Sequence, residues 1–329
     1  MKRLKLGIIG IGHMGQYHIN IASSLTNSFI LVGVYDIDFV KAIEISQEYN
    51  TKYFNNAIEL MNNVEAVIIA VPTYLHYKYA SKALDNGIHV LVEKPIAENV
   101  EQANKLACKA KKNNVIFQVG HVERFNGAVQ ELYKIVTKPL VIESRRLCPY
   151  TERIKDVGVV LDLMIHDIDI VMNIVNSPVL SLKSTGGSVF SSFEDYATAV
   201  LQFENGCIAT VTASRVTQRK IRTLAISQEK SYIFLDYSTQ DIHIHRQASQ
   251  AYLLTKEEIK YSQESFVEEL FIHKENPLKQ ELEHFYDCIV KNICPVVSNE
   301  ADIRLLRTTL DIENQIRNEI QRDKLMVMN

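Results

Sequence analysis

Short aliphatic runs alternate with amphipathic stretches through the first third of the chain, and this alternation limits the fold more than any other feature. Strand candidates lie at residues 6–9, 30–35, 66–71, 89–92 and 115–119, and helical patterns between them include residues 74–86 and 100–112. Continuous aliphatic strands that alternate with helices are typical of parallel sheets covered on both faces. Because the crossovers of such sheets are right-handed, we predict a doubly wound α/β domain over residues 1–121.

Residues 122–329 follow a different pattern. Strand-like runs lie at 140–147, 197–203, 207–214, 222–227 and 231–235, and helical patterns lie at 157–174, 277–291 and 300–322. Glu204-Asn205-Gly206 predicts a hairpin between two of the runs, because Asn-Gly tolerates positive φ angles. We predict an α+β domain with a large open, mainly antiparallel sheet.

A Gly-x-Gly-x-x-Gly motif occupies residues 10–15, between the first strand and the next helix. Gly10 permits a tight turn, Gly12 lets the backbone approach a diphosphate, and Gly15 permits close contact of helix and strand. At the end of the second strand, Asp36 would accept hydrogen bonds from ribose hydroxyls and repel a 2′-phosphate. No Arg or Lys occupies the next four positions. The motif therefore predicts a Rossmann domain that binds NAD in preference to NADP.

Further cofactor contacts are expected where the third and fourth strands end, since ligands of open α/β sheets bind at the carboxyl ends of strands. The predicted set adds Thr73, His76, Glu93 and Lys94 there, together with His13 and Met14 of the glycine motif. For Thr73 the other interpretation is a helix N-cap. Pro95 restricts Lys94 to extended conformations, which fixes the direction of the lysine side chain. A surface lysine in a strand-to-helix loop is the competing interpretation of Lys94.

Three polar residues of the second domain, Asp162, His166 and Asp169, are spaced i, i+4 and i+7, so a helix places them on one face. Apolar residues fill the positions between them, which indicates a pocket floor rather than a solvated surface. One interpretation is a metal site, and another is a histidine with structural hydrogen bonds. Oxidation of an alcohol by NAD needs no metal, and His166 suits the role of its base near neutral pH.

Basic residues cluster just before this helix. They are Arg145, Arg146, Arg153 and Lys155, with Glu152 the only acid among them. Arginine matches phosphate oxygens in bidentate fashion, so the cluster predicts a site for a substrate diphosphate. A solvated loop is the other interpretation. Arg124 and Asn126, just after the fifth strand, are a second candidate pair of substrate contacts.

Composition argues against several classes of protein. The net charge is −3, whereas proteins that bind nucleic acid or membrane surfaces usually show a basic excess. No run approaches the roughly 18 apolar residues that span a bilayer, and a strand begins too early to leave room for a signal peptide, so we expect a cytoplasmic protein. The five cysteines are scattered without a Cys-x-x-Cys pair, which favours reduced thiols over structural zinc. We expect no metal cofactor.

With these motifs together, the chain resembles the Gfo/Idh/MocA family of oxidoreductases over nearly its whole length. The resemblance rests on the glycine motif, on Glu93-Lys94-Pro95, on residues 162–166 and on the antiparallel second domain. It implies an NAD-dependent dehydrogenase in which Lys94 and His166 carry the chemistry and Asp162 assists. It also implies homodimers or homotetramers formed through the open sheet. Met164 departs from the family, since many members have glycine there, and it narrows the pocket or shifts the helix.

Two stretches, residues 120–126 and 153–162, resemble the members that oxidise the C3 hydroxyl of a nucleotide sugar such as UDP-N-acetylglucosamine. Gly127 stands where such members often have proline. The resemblance implies a 3-keto sugar nucleotide as product, of the kind used in lipopolysaccharide biosynthesis. The alternatives are a dehydrogenase of a free sugar or inositol, and a nucleotide-binding regulatory protein without turnover.

Overall fold

The structure is a computed structural model that describes residues 2–151, 157–248 and 264–327. It divides into two compact units. The first comprises Met1–Phe125 and Glu275–Leu310, and the second comprises Asn126–Lys274 and Asp311–Asn329. The segment from residue 275 to 310 therefore belongs to the first unit, whereas the sequence predicted it within the second domain.

The first unit begins with six strands and five helices. The strands are β1 (Leu4–Ile9), β2 (Phe29–Tyr35), β3 (Lys52–Tyr53), β4 (Ala66–Ile69), β5 (His89–Glu93) and β6 (Phe117–Gly120). The helices are α1 (His13–Ser24), α2 (Phe39–Glu48), α3 (Ala57–Met61), α4 (Thr73–Asp85) and α5 (Val100–Asn113), and a 3-10 turn (Val122–Phe125) follows β6. The strand order is β3-β2-β1-β4-β5-β6, and every pair is parallel. This confirms the doubly wound Rossmann prediction and places the reversal of strand order between β1 and β4, where such sheets bind ligands.

The second unit is built around a large sheet. Its elements are α6 (Gly127–Ile135), β7 (Val141–Leu147), α7 (Ile165–Val175), β8 (Val179–Gly187), β9 (Tyr196–Phe203), β10 (Ile208–Ser214), β11 (Ile221–Gln228), β12 (Ser231–Asp236), β13 (Asp241–Ala248) and β14 (Glu264–Glu269). The eight strands follow the order β14-β13-β12-β11-β7-β10-β9-β8, and β7 with β10 is the parallel pair among antiparallel ones. The predicted hairpin joins β9 to β10, with Gly206 at a φ of +89°. The mainly antiparallel sheet is confirmed.

The sequence missed β8, β13 and β14, which lie at or near the two edges of this sheet. Their polar residues weaken the alternating pattern by which buried strands are recognised. The predicted helix at 157–174 also differs in its first turns. Val160–Met164 form a π-helical turn that leads into α7, and Asn176 caps the end of α7 in the left-handed conformation.

Two helices complete the chain, α8 (Pro277–Lys291) and α9 (Asn299–Val327). The apolar face of α8, with Leu282 and Phe285, packs into the hydrophobic core that includes Ile19 and Phe29. Burial of this face explains why α8 belongs to the first unit, although it follows the second unit along the chain.

Candidate active site

The three glycines of the loop in the first unit differ in the space around them: Gly10 and Gly15 have no room for a side chain, whereas Gly12 has. Gly10 has a φ of +89°, and a Cβ built there would lie 2.5 Å from the carbonyl oxygen of Ala70. A Cβ at Gly15 would overlap the Gly10 carbonyl group, whereas one at Gly12 would meet nothing within 4 Å. In the described chain, α1 has no side-chain cap and no acid in its first turn. The amino end of α1, without a capping side chain or an acid, therefore suits the phosphate oxygens of a dinucleotide.

Asp36 orders this loop. Its Oδ2 accepts a hydrogen bond from the Ile11 N–H at 2.7 Å, and its Oδ1 accepts one from the Asp38 N–H at 2.9 Å. The side chain is half-buried. Since each carboxylate oxygen has two lone pairs, both oxygens retain capacity for ribose hydroxyls. At the start of α1, His13 is exposed and Met14 half-buried.

The turn after β4 holds the next two predicted cofactor residues. Pro72 is the N-cap of α4, so the N-cap interpretation of Thr73 is wrong, and Thr73 is the first, half-buried residue of the helix. His76 is buried, with Nδ1 2.8 Å from the Pro95 carbonyl oxygen and Nε2 2.9 Å from the Val71 carbonyl oxygen. Burial lowers the pKa of His76. A direct cofactor contact of its ring would require the ring to leave these partners.

Lys94 follows β5 directly, at the carboxyl end of the sheet. It is half-buried, while Glu93 before it and Pro95 after it are buried. The peptide bond between Lys94 and Pro95 is cis. Glu93 Oε1 lies 2.7 Å from Nε2 of His18 on α1, which is fully buried. The Glu93 carboxylate therefore reaches α1, and the loop that carries Lys94 is anchored rather than a free surface loop.

Near Glu93 lies a second acid that the sequence did not single out. Glu281 of α8 is fully buried, and neither of its carboxyl oxygens has a hydrogen-bond partner within the described residues. Burial, with a contribution from Glu93, raises the pKa of the Glu281 carboxyl well above its usual range. The protonated, neutral form of Glu281 is therefore favoured in the folded state.

Glu281 is expected to make the protein less stable as the pH rises. Because the folded state keeps the proton that the unfolded chain releases, the free energy of unfolding falls by about 1.4 kcal/mol per pH unit between the two pKa values. Glu281→Gln should abolish this slope, so its stability advantage over wild type grows with pH. Urea unfolding from about pH 5 to about pH 8 measures the slope. Glu283→Gln, on the same helix, is the control and should keep the wild-type slope. Equal slopes in wild type, Glu281→Gln and Glu283→Gln would contradict the raised pKa of Glu281.

The second unit carries the other predicted catalytic residues. Asp162 lies in the π-helical turn and His166 in the first turn of α7, and both are half-buried. Asp169 is buried and accepts a hydrogen bond from Asn173. Asp167, beside His166, accepts hydrogen bonds from Ser144 Oγ at 2.7 Å and from Arg146 Nε at 2.6 Å. These bonds fix α7 to β7 and thereby hold the backbone of His166.

A second set of contacts holds the segment that leads into Asp162. The Val160 N–H donates a hydrogen bond to Glu194 Oε1 at 3.2 Å, and a Cβ at Gly158 would overlap the Glu194 carboxylate. Burial raises the pKa of Glu194. Arg215 donates a hydrogen bond to the Val157 carbonyl group at 3.1 Å. Neither Glu194 nor Arg215 belongs to a motif that the sequence singles out.

Arg215 is itself held by Asp195, at 2.7 Å, and both side chains are buried. Burial raises the pKa of Asp195, but hydrogen bonds from the Val189, Phe190 and Ser191 N–H groups outweigh it and hold this pKa far below its usual range. The hairpin could have revealed this pair, because its register extends from the last β9–β10 pair to these two residues.

The prediction that Arg145 and Arg146 belong to one basic cluster is wrong. Successive strand residues point to opposite faces, so Arg145 is exposed, whereas Arg146 is buried in the ion pair with Asp167. Arg146 is therefore part of the protein interior rather than a free phosphate ligand. Arg153 and Lys155 lie outside the described residues.

Arg124 and Asn126 are also engaged within their own units. Arg124 Nη2 lies 2.6 Å from Oδ1 of Asp302, and both side chains are buried. Asn126 caps α6 and donates a hydrogen bond to the Tyr237 carbonyl group at 3.1 Å. Substrate contacts of these two side chains, predicted from the sequence, would have to replace these bonds.

Two searches of the described residues concern other kinds of site. No group of three or more His, Cys, Asp or Glu side chains in this part of the chain is arranged to hold a metal ion. Nor is any helix among the residues described here both long and apolar enough to span a membrane.

The six-stranded sheet and most of the eight-stranded sheet lie in regions that match models of one protein family. Residues 4–121 match the Gfo/Idh/MocA oxidoreductase family, described as having an NAD-binding Rossmann fold. Residues 142–233 match the C-terminal domain of the same family. The chain belongs to the Gfo/Idh/MocA family of oxidoreductases. This Gfo/Idh/MocA protein is a dehydrogenase that acts on CH–OH groups, with an NAD(P)-binding Rossmann domain.

Similar proteins span the whole chain. UDP-N-acetylglucosamine 3-dehydrogenase of Acidithiobacillus ferrooxidans is 29% identical over 324 residues, which cover 98% of this chain and 100% of that enzyme. Its solved structure superposes with a TM-score of 0.87 at 27% identity, covering 96% of this chain and 98% of that one. The scyllo-inositol 2-dehydrogenase (NAD(+)) of Bacillus subtilis is 26% identical over 337 residues, covering 96% of this chain and 95% of that enzyme. The names of these relatives indicate different substrates, so the similarity establishes the family and the reaction class.

Proposed function

We propose that this Gfo/Idh/MocA protein is an NAD-dependent dehydrogenase that oxidises the C3 hydroxyl of a nucleotide sugar such as UDP-N-acetylglucosamine. The observation that carries the proposal is the similarity to UDP-N-acetylglucosamine 3-dehydrogenase over 98% of this chain and the whole of that enzyme. The inositol dehydrogenase relative, at 26% identity over a similar length, makes inositol oxidation the second candidate. All five cysteines are free thiols, which supports a cytoplasmic location.

The proposed mechanism divides the reaction between three side chains. When bound, NAD supplies a hydride acceptor at C4 of the nicotinamide ring. His166 removes the proton of the reacting hydroxyl, and Lys94 donates a hydrogen bond to the same oxygen and stabilises the developing alkoxide charge. Asp162 orients His166 or the substrate. The loop of Gly10, Gly12 and Gly15 would hold the cofactor diphosphate, and Asp36 its ribose.

Turnover measurements test the substrate directly. NADH formation, followed by absorbance, should be fastest with UDP-N-acetylglucosamine and much slower with free N-acetylglucosamine or scyllo-inositol. UDP should compete with the sugar nucleotide if the diphosphate is recognised. Faster oxidation of scyllo-inositol, without inhibition by UDP, would replace the nucleotide-sugar proposal by the second candidate. A protein that binds NAD but oxidises none of these compounds would instead favour the regulatory alternative.

We expect NAD to bind more tightly than NADP because Asp36 repels a 2′-phosphate. Loss of a charged hydrogen bond costs about 1.5–3 kcal/mol, so Asp36→Asn should weaken NADH binding by about 10- to 150-fold and narrow its advantage over NADPH. Fluorescence titration with both reduced cofactors measures the two dissociation constants. Asp38→Asn is the matched control, because Asp38 caps α2 and donates its N–H to Asp36. Equal affinities in wild type would remove the role assigned to Asp36.

We further propose that the enzyme forms a homodimer or homotetramer through the open sheet. Outward-facing apolar side chains line one face of it, each 40–54% exposed: Val141, Val200, Ile208, Tyr232 and Val267. Strand pairing places Ile208 beside Val141, near the middle of this face.

Added negative charge on this face should therefore weaken the oligomer and lower its molar mass in solution. For Ile208→Asp combined with Val141→Asp, light scattering after size exclusion is expected to give the mass of a monomer, because the double change replaces apolar contact area by two carboxylates on the face that already carries Glu143. Val296→Asp, at an exposed apolar residue of the first unit, should keep the wild-type mass. An unchanged mass in the double variant would contradict the assignment of the interface.

A further inference from the structure

Two buried histidines contact the residues on either side of Lys94. His18 Nε2 lies 2.7 Å from Glu93 Oε1, and His76 Nδ1 lies 2.8 Å from the Pro95 carbonyl oxygen. The two histidines are 0% and 1% exposed. Neither is explained by the proposed mechanism, since a ring that solvent cannot reach is poorly placed to exchange protons with a substrate.

The two contacts connect Lys94 to different parts of the first unit. His18 belongs to α1, the helix that begins at the glycine loop, and His76 belongs to α4, which follows the carboxyl end of β4. His76 Nε2 also lies 2.9 Å from the Val71 carbonyl oxygen, so the ring lies between carbonyl groups of the turns after β4 and β5. A neutral imidazole has one N–H and donates a hydrogen bond to one of the two at a time. Lys94 is thus flanked by two anchored residues, one held through its side chain and the other through its backbone.

Such anchors matter for lysine in particular. The lysine side chain is a flexible four-carbon chain that ends in a rotationally symmetric ammonium group. Little in the side chain itself therefore fixes the direction in which the ammonium group points. The direction depends on where the backbone places Cα, and supporting hydrogen bonds normally hold a functional side chain within about 0.5 Å of its productive position. Burying a histidine costs free energy unless its nitrogens find partners. Both nitrogens of His76 lie near carbonyl oxygens, whereas among the described residues His18 has a partner at Nε2 and none at Nδ1, so the contact with Glu93 offsets only part of this cost.

We propose that His18 and His76 are positioning residues that hold Glu93 through its side chain and Pro95 through its carbonyl oxygen, and thereby aim the ammonium group of Lys94 between them. The proposal rests on the catalytic role proposed for Lys94. It predicts that each histidine acts through one specific nitrogen, Nε2 of His18 and Nδ1 of His76.

Swapped amide substitutions test this directly. The amide nitrogen of asparagine occupies the position of histidine Nδ1, and that of glutamine the position of Nε2. His76→Asn and His18→Gln should therefore keep most of kcat, whereas His76→Gln and His18→Asn should lower it by about 10²-fold, the effect of misplacing a catalytic group by about 1 Å. KM for NAD should change little in all four. A merely structural role would not reverse the order of the two amides between the two positions.

His89→Asn is the matched control. His89 begins the same strand at its opposite end, and its Nδ1 accepts a hydrogen bond from the Ile116 N–H at 3.0 Å. This variant should keep the wild-type kcat with UDP-N-acetylglucosamine and NAD. The proposal is overturned if all four amide variants have the same kcat, or if the control loses as much as they do.

A second measurement needs no substrate. Acetic anhydride acetylates exposed lysines, and peptide mass spectrometry gives the rate at Lys94 relative to the other lysines of the same chain. This relative rate should change by several-fold in His76→Gln and His18→Asn and stay at the wild-type value in His76→Asn, His18→Gln and His89→Asn. If the wild type oxidises no sugar, the proposed function fails, while this pattern still supports the anchors. Equal Lys94 rates in all variants would overturn the anchors, whatever the activity.

Discussion

His166→Ala is expected to lower the rate of hydride transfer by about 10²–10⁴-fold, the contribution of a positioned general base. Lys94→Met should have an effect of similar size, because it removes the donor that stabilises the alkoxide while preserving much of the side-chain volume. NAD binding should remain near that of wild type, since neither change touches the glycine loop. The measurement is the rate of NADH formation in a single turnover with UDP-N-acetylglucosamine, or with the substrate that turnover screening identifies.

Asn173→Ala is the control for the helix. Asn173 lies on α7 and donates hydrogen bonds to Asp169, at its backbone and at its side chain, so its replacement disturbs the same helix without removing a reacting group. A deuterium isotope effect with substrate labelled at the reacting carbon establishes that chemistry limits the rate. If His166→Ala then turns over as wild type does, His166 is not the base. Dialysis against a chelator should leave activity unchanged, and activity restored by added metal would revive the metal interpretation of Asp162, His166 and Asp169.

Arg146→Met is expected to lower the free energy of unfolding by about 3–5 kcal/mol, because it leaves the buried Asp167 carboxylate without its charged partner. The Arg146 guanidinium lies 2.6 Å from this carboxylate through Nε, and it also lies over the Tyr237 ring, 5.0 Å from its centroid. Urea unfolding at constant pH measures the change.

Arg145→Met is the matched control, since the adjacent strand position places the Arg145 side chain on the exposed face. Its effect on stability should stay within about 0.5 kcal/mol. The opposite result, in which Arg146→Met unfolds like wild type but raises KM for the sugar nucleotide, would restore the phosphate-binding role predicted from the sequence. The pair of variants therefore separates an interior ion pair from a substrate contact.

Local patterns predicted the parts of this fold that local forces control. The aliphatic runs indicated five of the six parallel strands, and the short β3 at the sheet edge, with two exposed residues, gave no such signal. The hairpin at Asn205-Gly206 follows from the backbone freedom of glycine at positive φ. The same hairpin register places Asp195 opposite Arg215, and this ion pair was not among the features predicted from the sequence.

The basic cluster shows where local patterns fail. Sequence proximity suggested that Arg145 and Arg146 act together, but strand alternation separates their side chains and a partner from α7 holds one of them. Arg124 similarly pairs with Asp302, 178 positions later in the chain. A charge count along the chain cannot distinguish a solvated arginine from one buried in an ion pair, because the difference depends on what the fold brings opposite it.

Local patterns were sufficient to predict the Rossmann sheet, the glycine loop with Asp36 at the second strand, five of the eight strands of the mainly antiparallel sheet, and the family. Each of these depends on short-range periodicity, on backbone freedom or on motifs whose spacing is local. The hydrogen-bond partners depend on long-range packing: His18 contacts Glu93 across 75 positions, and the Gln118 side-chain amide contacts the backbone of buried Glu281 across 163. The physical reason is that a buried polar group must find its partner among the residues that strand order and helix packing place beside it, and no periodicity of the chain records that order.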